Sequence, residues 1–480
     1  MAGTATMEAQ PRGSPHGPPT GADRQGCPGP LVATHPLGSF AAAPVGGARR
    51  GAGRGGRCAR SGDGSAPGAG RGLKVVPVTE TALEDFDPFS PENWNDPHPM
   101  YHRLRESEPV HRTETGEWIL TRWADCFAVL RDPRWSSNPD HLASRPAFDE
   151  LSMREALGEV DFPIILFIDP PDHTRIRKLL SPALTRRAVE RLRPRVQEIV
   201  DGLFDEIEGT RTVDLLSEFA YTLPVTVICE LMGVPAEDRH LFHGWSDDAA
   251  RLLDGDTDPD IIQQGLLAAA MLLNYLTPLI EDRRGNPTDD LLGWLVTAQQ
   301  QDGTLSEAEL RANTLVLFIA GHETTMNLIG NGTKALLEHR DQWERLVADL
   351  SLSESAVEEC LRYDGPVHVT ARIATEDIEV GGHRFERGEQ VVTHLAAANR
   401  DPARFPDPDR FDIGRQDNQH LAFSLGMHHC LGAWLARLEG QVAFGTMARR
   451  FPRLELATDD LQYRDHFVLR GLRGLPVDLG

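Results

Sequence analysis

The stretch LSEAELRANTLVLFIAGHETTMNLIGNGTKALLEHR, residues 305 to 340, constrains the fold more than any other part of the chain. Its start is marked twice. Ser306 and Glu309 stand three apart, the spacing at which a serine hydroxyl and a glutamate carboxylate cap each other's backbone amides, and Leu305 and Leu310 are placed to clamp the same turn. From Leu315 to Ala320 apolar side chains fall on nearly every side of the helix, so it belongs in the centre of the protein. AGHETT (320–325) then interrupts the apolar run. A glycine inside a helix costs about 1 kcal/mol against alanine. A threonine hydroxyl competes for the carbonyl four residues back, and a buried carboxylate at Glu323 is expensive unless paired or used. A frayed polar turn would account for this. So would a kink that opens a small wet pocket, with the Thr324 hydroxyl held there and Glu323 relaying protons.

A chain of 480 residues, 40% hydrophobic and 6% aromatic, has room for a large helix-rich core around such a helix. Its net charge of −23 argues against nucleic acid as a partner. No apolar run reaches the roughly 18 residues of a membrane span. The N-terminus lacks the apolar segment of a secretory signal, so the expected location is the cytoplasm. Cysteines at 27, 58, 126, 229, 360 and 430 form no CxxC pair, which predicts free thiols in a reducing compartment. Residues 1–73 differ from the rest. Rich in Gly, Ala, Pro and Arg, with eight arginines against three acidic residues, they hold too little apolar surface to offset their ordering entropy, and this leader is expected to be disordered. No linker or fixed-period repeat follows, so residues 79–480 are expected to form a single domain.

Helices predominate, with a few strands near the start and in the last third: the fold class is mainly α with small β-sheets. EWILTRW (117–123) reads as a strand, and HTRIRKLLSPALT (173–185) has helical spacing. DIEVGGHRFERGEQVV (377–392) reads as a hairpin with turn signals at Gly381-Gly382 and Arg387-Gly388. EECLRYDGPV (358–367) is a helix ended by Gly365-Pro366, on which Glu359 and Arg362 share a face and can pair. Taken alone, that pair is a surface salt bridge worth a few tenths of a kcal/mol.

FSLGMHHCLG (423–432) admits several readings. Zinc wants four ligands at spacings such as CxxC, and three consecutive residues do not easily face one ion. A catalytic thiol would need a base and a helix N-terminus. An inert core cysteine leaves the glycines unexplained. A fourth reading has one thiolate presented from a tight loop to a heme. Gly426 would turn the backbone, Gly432 would let the following helix LGAWLARLE (431–439) approach closely, its amides would stabilise Cys430, and Phe423 would shield the loop from water.

FSLGMHHCLGAWLA resembles the heme-ligand signature of the cytochrome P-450 family, F-G-x-G-x-H/R-x-C-x-G-x-x-L-A, departing from it at Ser424, where glycine is usual. AGHETT resembles the family's oxygen-activation motif, Glu359 and Arg362 its E-x-x-R pair, and DPARFPDPDRFDIGR (401–415) its Pro/Phe-rich segment. The resemblance covers roughly residues 84 to 480. It implies the cytochrome P-450 fold, with heme b (iron-protoporphyrin IX) between the long central helix and the ligand loop, and Cys430 as axial ligand of the iron. His173, Arg177, Arg372 and His428 are the implied partners of the heme propionates, since two carboxylates in a dry pocket require charge-assisted hydrogen bonds. Glu323 and Thr324 become the implied proton-delivery pair, and Glu359 and Arg362 a brace behind the heme.

The implied activity is that of a monooxygenase inserting one oxygen atom of O2 into a C–H or C=C bond of a small hydrophobic substrate. The chain shows no flavin or iron–sulfur module, so the expected partners are a ferredoxin and an NAD(P)H-driven ferredoxin reductase. Their expected dock is the basic stretch holding Arg175, Arg177, Lys178, Arg186, Arg187, Arg191, Arg193 and Arg195. Apolar residues such as Phe162, Ile165, Phe167 and Val369 fall where the resemblance expects substrate-facing segments, and core packing explains them equally well. A peroxide-using enzyme or a heme sensor would have little use for the acid–alcohol pair.

Overall fold

The structure, a computed structural model, describes residues 91–480 except 114–115, 144–162, 254–257 and 303. The expected leader (1–73), the first residues of the expected domain and Phe162 lie outside the described residues.

The helix read from the sequence spans Glu307–Glu338 and is the axis of the fold. Its capping box is present: the Glu309 amide donates to Ser306 Oγ at 3.1 Å, and the Ser306 amide to the Glu309 carboxylate at 2.7 Å. Leu305 and Leu310 are buried beside it. The helix runs unbroken through AGHETT, which rules out a frayed turn there. Gly321 serves packing instead. A Cβ at that position would lie 2.6 Å from Ile228 Cδ1 on the helix Thr222–Met232, so the missing side chain lets the two helices close.

Around this axis lie the helices Pro259–Gly285, Ser353–Tyr363 and Ala433–Arg450, joined in one continuous apolar core. Among the described residues ten short strands form: β1 (Val110–Arg112), β2 (Trp118–Leu120), β3 (Trp135–Ser136), β4 (Thr212–Asp214), β5 (Val369–Ala374), β6 (Ile378–Val380), β7 (His383–Phe385), β8 (Gln390–His394), β9 (Glu455–Leu456) and β10 (Pro476–Asp478). The largest sheet has the order β1-β2-β8-β5-β3, in which only β2 and β8 run parallel, and it covers a second apolar cluster. The hairpin expected over 377–392 is half of what forms. β6 and β7 pair across Gly381 and Gly382, both with positive φ as a tight two-residue turn requires. β8 leaves them after Gly388 and inserts between β2 and β5. Among the described residues no helix is long and apolar enough to cross a membrane.

Candidate functional site

The cysteine loop closes on itself before its helix begins. The Cys430 amide donates to the Phe423 carbonyl and the Ser424 amide to that of Leu421, each at 2.8 Å. Gly426 has φ +68°, and a Cβ there would lie 2.3 Å from the Leu130 carbonyl oxygen, so the residue must be glycine on both counts. Ser424 has φ +55°, the left-handed conformation that favours glycine, and its hydroxyl is buried without a hydrogen-bond partner. The departure from the family pattern therefore leaves the turn in place and puts strain on the serine. Gly432 corrects an expectation: a Cβ there would meet nothing within 4 Å, so this glycine does not draw the helix against other parts of the chain.

The helix Ala433–Arg450 starts three residues after Cys430. Cys430 is exposed, yet the protein packed around its sulfur desolvates it and pushes the thiol up. The Gly432 amide, the Arg177 and Arg437 charges and the Ala433 amide pull the other way without overcoming it. Left to the protein alone the sulfur keeps its proton, and a bound metal is what would release it. Cys126, Cys229 and Cys360 are buried free thiols; of the described cysteines Cys430 alone is exposed. Phe423 packs on the main core with the Arg437 guanidinium 4.4 Å above its ring, while Arg437 is bonded to Glu358 at 2.7 and 2.9 Å.

The four expected propionate partners come from three segments. His173 and Arg177 lie one turn apart on the helix Asp172–Leu180, Arg372 on β5 and His428 in the loop. The rings of His173 and His428 stand 4.3 Å apart, and the Nε2 atom of each is buried with no hydrogen-bond partner. Arg177 donates to the His429 carbonyl at 2.7 Å. Arg372 is buried, bonded only to Thr370 Oγ1 and the Ala371 carbonyl, with no ion pair among the described residues. Burial, then Arg372, His173 and Arg177, pushes His428 down to about 3. Basic groups that repel each other, with donors left unsatisfied, form a cradle for acid groups. Heme fits this set, with two carboxylates for the cradle and an iron for the sulfur.

On the central helix, Ala320 is exposed although its neighbours along the helix are largely buried, and Thr324 Oγ donates to its carbonyl at 3.2 Å. Glu323 is 3% exposed and accepts from Arg464 Nη1 at 2.7 Å. The same Nη1 binds Asp247, and Arg464 Nη2 donates to Asn327 Oδ1 at 2.5 Å. His322 Nδ1 donates to the Phe318 carbonyl at 2.8 Å, its Nε2 3.9 Å from Glu323. The buried carboxylate is thus paired. Sequence reading missed Arg464, which lies 141 residues from Glu323 and carries no local signal of its partner.

Glu359 and Arg362 are fully buried, joined by two 2.8 Å hydrogen bonds, which corrects the surface reading of the pair taken alone. Arg362 also donates to the carbonyls of Asn399, Pro408 and Arg410. Glu359 also accepts from the Asp412 amide, Arg415 and Asn418. One ion pair therefore ties the helix Ser353–Tyr363 to the whole segment that leads into the cysteine loop.

The family profile for cytochrome P-450 matches residues 258–471. The vitamin D(3) 25-hydroxylase of Pseudonocardia autotrophica is 43% identical over 410 residues, which is 84% of this chain and 98% of that protein. The 6-deoxyerythronolide B hydroxylase of Saccharopolyspora erythraea is 40% identical over 79% of this chain and 95% of its own. Among solved structures, myxobacterial cytochrome P-450 CYP267B1 in complex with myristic acid superimposes with a TM-score of 0.74, at 40% identity, over 82% of this chain and 98% of that one. Fold and relatives together define a heme-thiolate oxidoreductase. The chain belongs to the cytochrome P-450 family, and it is a monooxygenase.

Proposed function

We propose that residues 79–480 form one catalytic domain that binds heme b through Cys430 and oxygenates a small hydrophobic substrate in the cytoplasm, with electrons from an external ferredoxin and its reductase. The observation that carries this reading is the exposed Cys430 thiol, held in a closed loop beneath helix amides and beside four basic groups that lack an acid partner. Heme bound there supplies dioxygen activation. The protein's part is to hold and shield the sulfur (Phe423, Gly426 and the helix amides), to anchor the propionates (His173, Arg177, Arg372, His428) and to deliver protons. Glu323 takes a proton from outside, and Thr324 presents its hydroxyl on the exposed Ala320 face. Cys430→Ser should abolish the spectrum that a heme thiolate gives with carbon monoxide; an unchanged spectrum would overturn the reading.

Relatives named for vitamin D(3) and 6-deoxyerythronolide B support an apolar substrate. So do half-buried Val316 and Leu317 on the central helix, with Ile165, Phe167 and Val369 as further candidates. The electron donor would dock on fewer cations than the sequence offered. Arg175, Arg193 and Arg195 are held in ion pairs with Glu309, Glu190 and Glu230. Lys178, Arg187 and Arg191 are exposed with no ion pair among the described residues, and Arg186 lies over Trp434, which is 40% exposed four residues after Cys430. An apolar anchor ringed by cations suits an acidic ferredoxin. Reduction should slow as salt rises; a salt-independent rate would count against this dock.

A further inference from the structure

Met100 and Tyr101 of the helix His98–Ser107 form a small apolar cluster with Ala396 and Ala397, separate from the two larger ones. Around Tyr101 stand three imidazoles from three segments: His98 on the helix itself, His368 just before β5 and His394 at the end of β8. Their ring centroids lie 5.7, 5.9 and 4.0 Å from that of Tyr101, whose hydroxyl meets His368 Nδ1 at 3.1 Å. All three histidines are buried. Both ring nitrogens of His98, and Nε2 of His368 and His394, have no hydrogen-bond partner among the described residues. His394 Nδ1 accepts from the Ala397 amide at 3.3 Å.

The charges that face this cluster are mostly cations. Arg105 and His102 come from the same helix, and Arg400 and Arg470 from later in the chain. Asp364 also faces His368, but Arg470 already holds it at 2.6 Å, and Asp96 accepts from the His98 amide, not its ring. Arg464 and His466 share a cavity of about 20 Å³ with Tyr101 and His368. Burial, then Arg400 and Arg470, pushes His98 well down. Burial, then Arg470 and His394, does the same to His368 against the pull of Asp364. Burial, then Arg105, pushes His394 down to about 3. A groove of about 500 Å³ lined by His98, His102 and Asp409 gives solvent a way in.

We propose that these three histidines are an acid-released latch: while neutral they pin the helix His98–Ser107 to the sheet, and proton uptake in mild acid frees that helix as a unit while the rest of the domain stays folded. A histidine held neutral in the closed latch titrates near 6.5 once released. The latch therefore contributes in full above that pH and weakens as pH falls through it. Between pH 7.5 and 5.5 each released imidazole favours opening by about tenfold, so three give about a thousandfold. The His368 amide donates to the Val468 carbonyl at 2.9 Å, and Val369 begins β5 one residue on. On the heme-thiolate reading Val369 is a candidate to face substrate, so acid loosens that side of the site; the latch itself does not depend on that reading.

The test is hydrogen exchange of the full-length holoenzyme, followed by mass spectrometry at pH 7.5, 6.5 and 5.5 and corrected for intrinsic rates. Peptides from His98–Ser107 should show an opening constant about a thousandfold larger at pH 5.5 than at pH 7.5, while those from the central helix keep their protection. His98→Phe keeps a ring against Tyr101 and removes two unpartnered nitrogens, so the rise should drop to about a hundredfold. A wild-type rise below about tenfold, an equal rise in the central helix, or a wild-type pH dependence in His98→Phe overturns the proposal. Should that variant fail to fold, the wild-type rise decides alone. A chain that binds no heme would sink the heme-thiolate reading and leave the exchange comparison standing.

Discussion

At the scale of single residues, the cysteine loop shows how a family motif tolerates a wrong residue. Ser424 adopts the left-handed backbone that glycine takes freely, at a cost of about 1 kcal/mol, and buries a hydroxyl with no partner. Ser424→Gly should therefore raise stability by about 1 kcal/mol, read as a higher midpoint in urea unfolding, without altering the heme spectrum. A loss of stability would mean that the hydroxyl has a use. Cys430, Gly426 and the central AGHETT were legible because each breaks a local rule of composition or propensity. The partner of Glu323 was not. A lone arginine near the C-terminus looks like any solvated cation until the fold brings it to a buried carboxylate.

At the scale of elements, the helix starts and stops were the clearest part of the sequence. The Ser306–Glu309 box and the Gly365-Pro366 stop each work within one turn of backbone, where neighbours decide the outcome. The partner of β8 was hidden, since strand pairing is settled by residues far away in the chain. The same holds for Glu358, which joins the helix Ser353–Tyr363 to Arg437 on the helix after Cys430, and to His420. Burial raises the Glu358 pKa, but hydrogen bonds from His420 and Arg437 outweigh it and leave it lowered to about 2, against an ordinary 4.5. A depressed carboxyl stabilises the fold above its unfolded value and loses that contribution as pH falls through its folded value. The contribution is about 3 kcal/mol at most, present above roughly pH 5 and gone near pH 2. Glu358→Gln should lower stability at pH 7 and much less at pH 3. Parallel stability–pH curves for the two proteins would show that the interaction adds nothing.

At the scale of the whole molecule, the buried Glu359–Arg362 pair links a helix to the segment from Asn399 to Asn418. Arg362→Met leaves Glu359 with Arg415 as its one remaining cation and takes the donor from the carbonyls of Asn399, Pro408 and Arg410, so it should cost about 3 kcal/mol in denaturant unfolding. A drop below 1 kcal/mol would mean that water reaches the site. The sequence showed the pair but not its burial, because a three-residue spacing on a helix reads alike at the surface and in the core.

The parallel pairing of β2 with β8 sets Trp118 beside Val391 and Leu120 beside Thr393. During synthesis the first hairpin, β1-β2, leaves the ribosome more than two hundred residues before the strand that completes its inner edge. Until then that edge offers its amides and carbonyls to any extended chain nearby. Such distant pairing folds slowly. A nascent chain stalled before Gln390 should thus be a target for chaperones, and the released full-length chain, in which β10 has also paired with β4, should not.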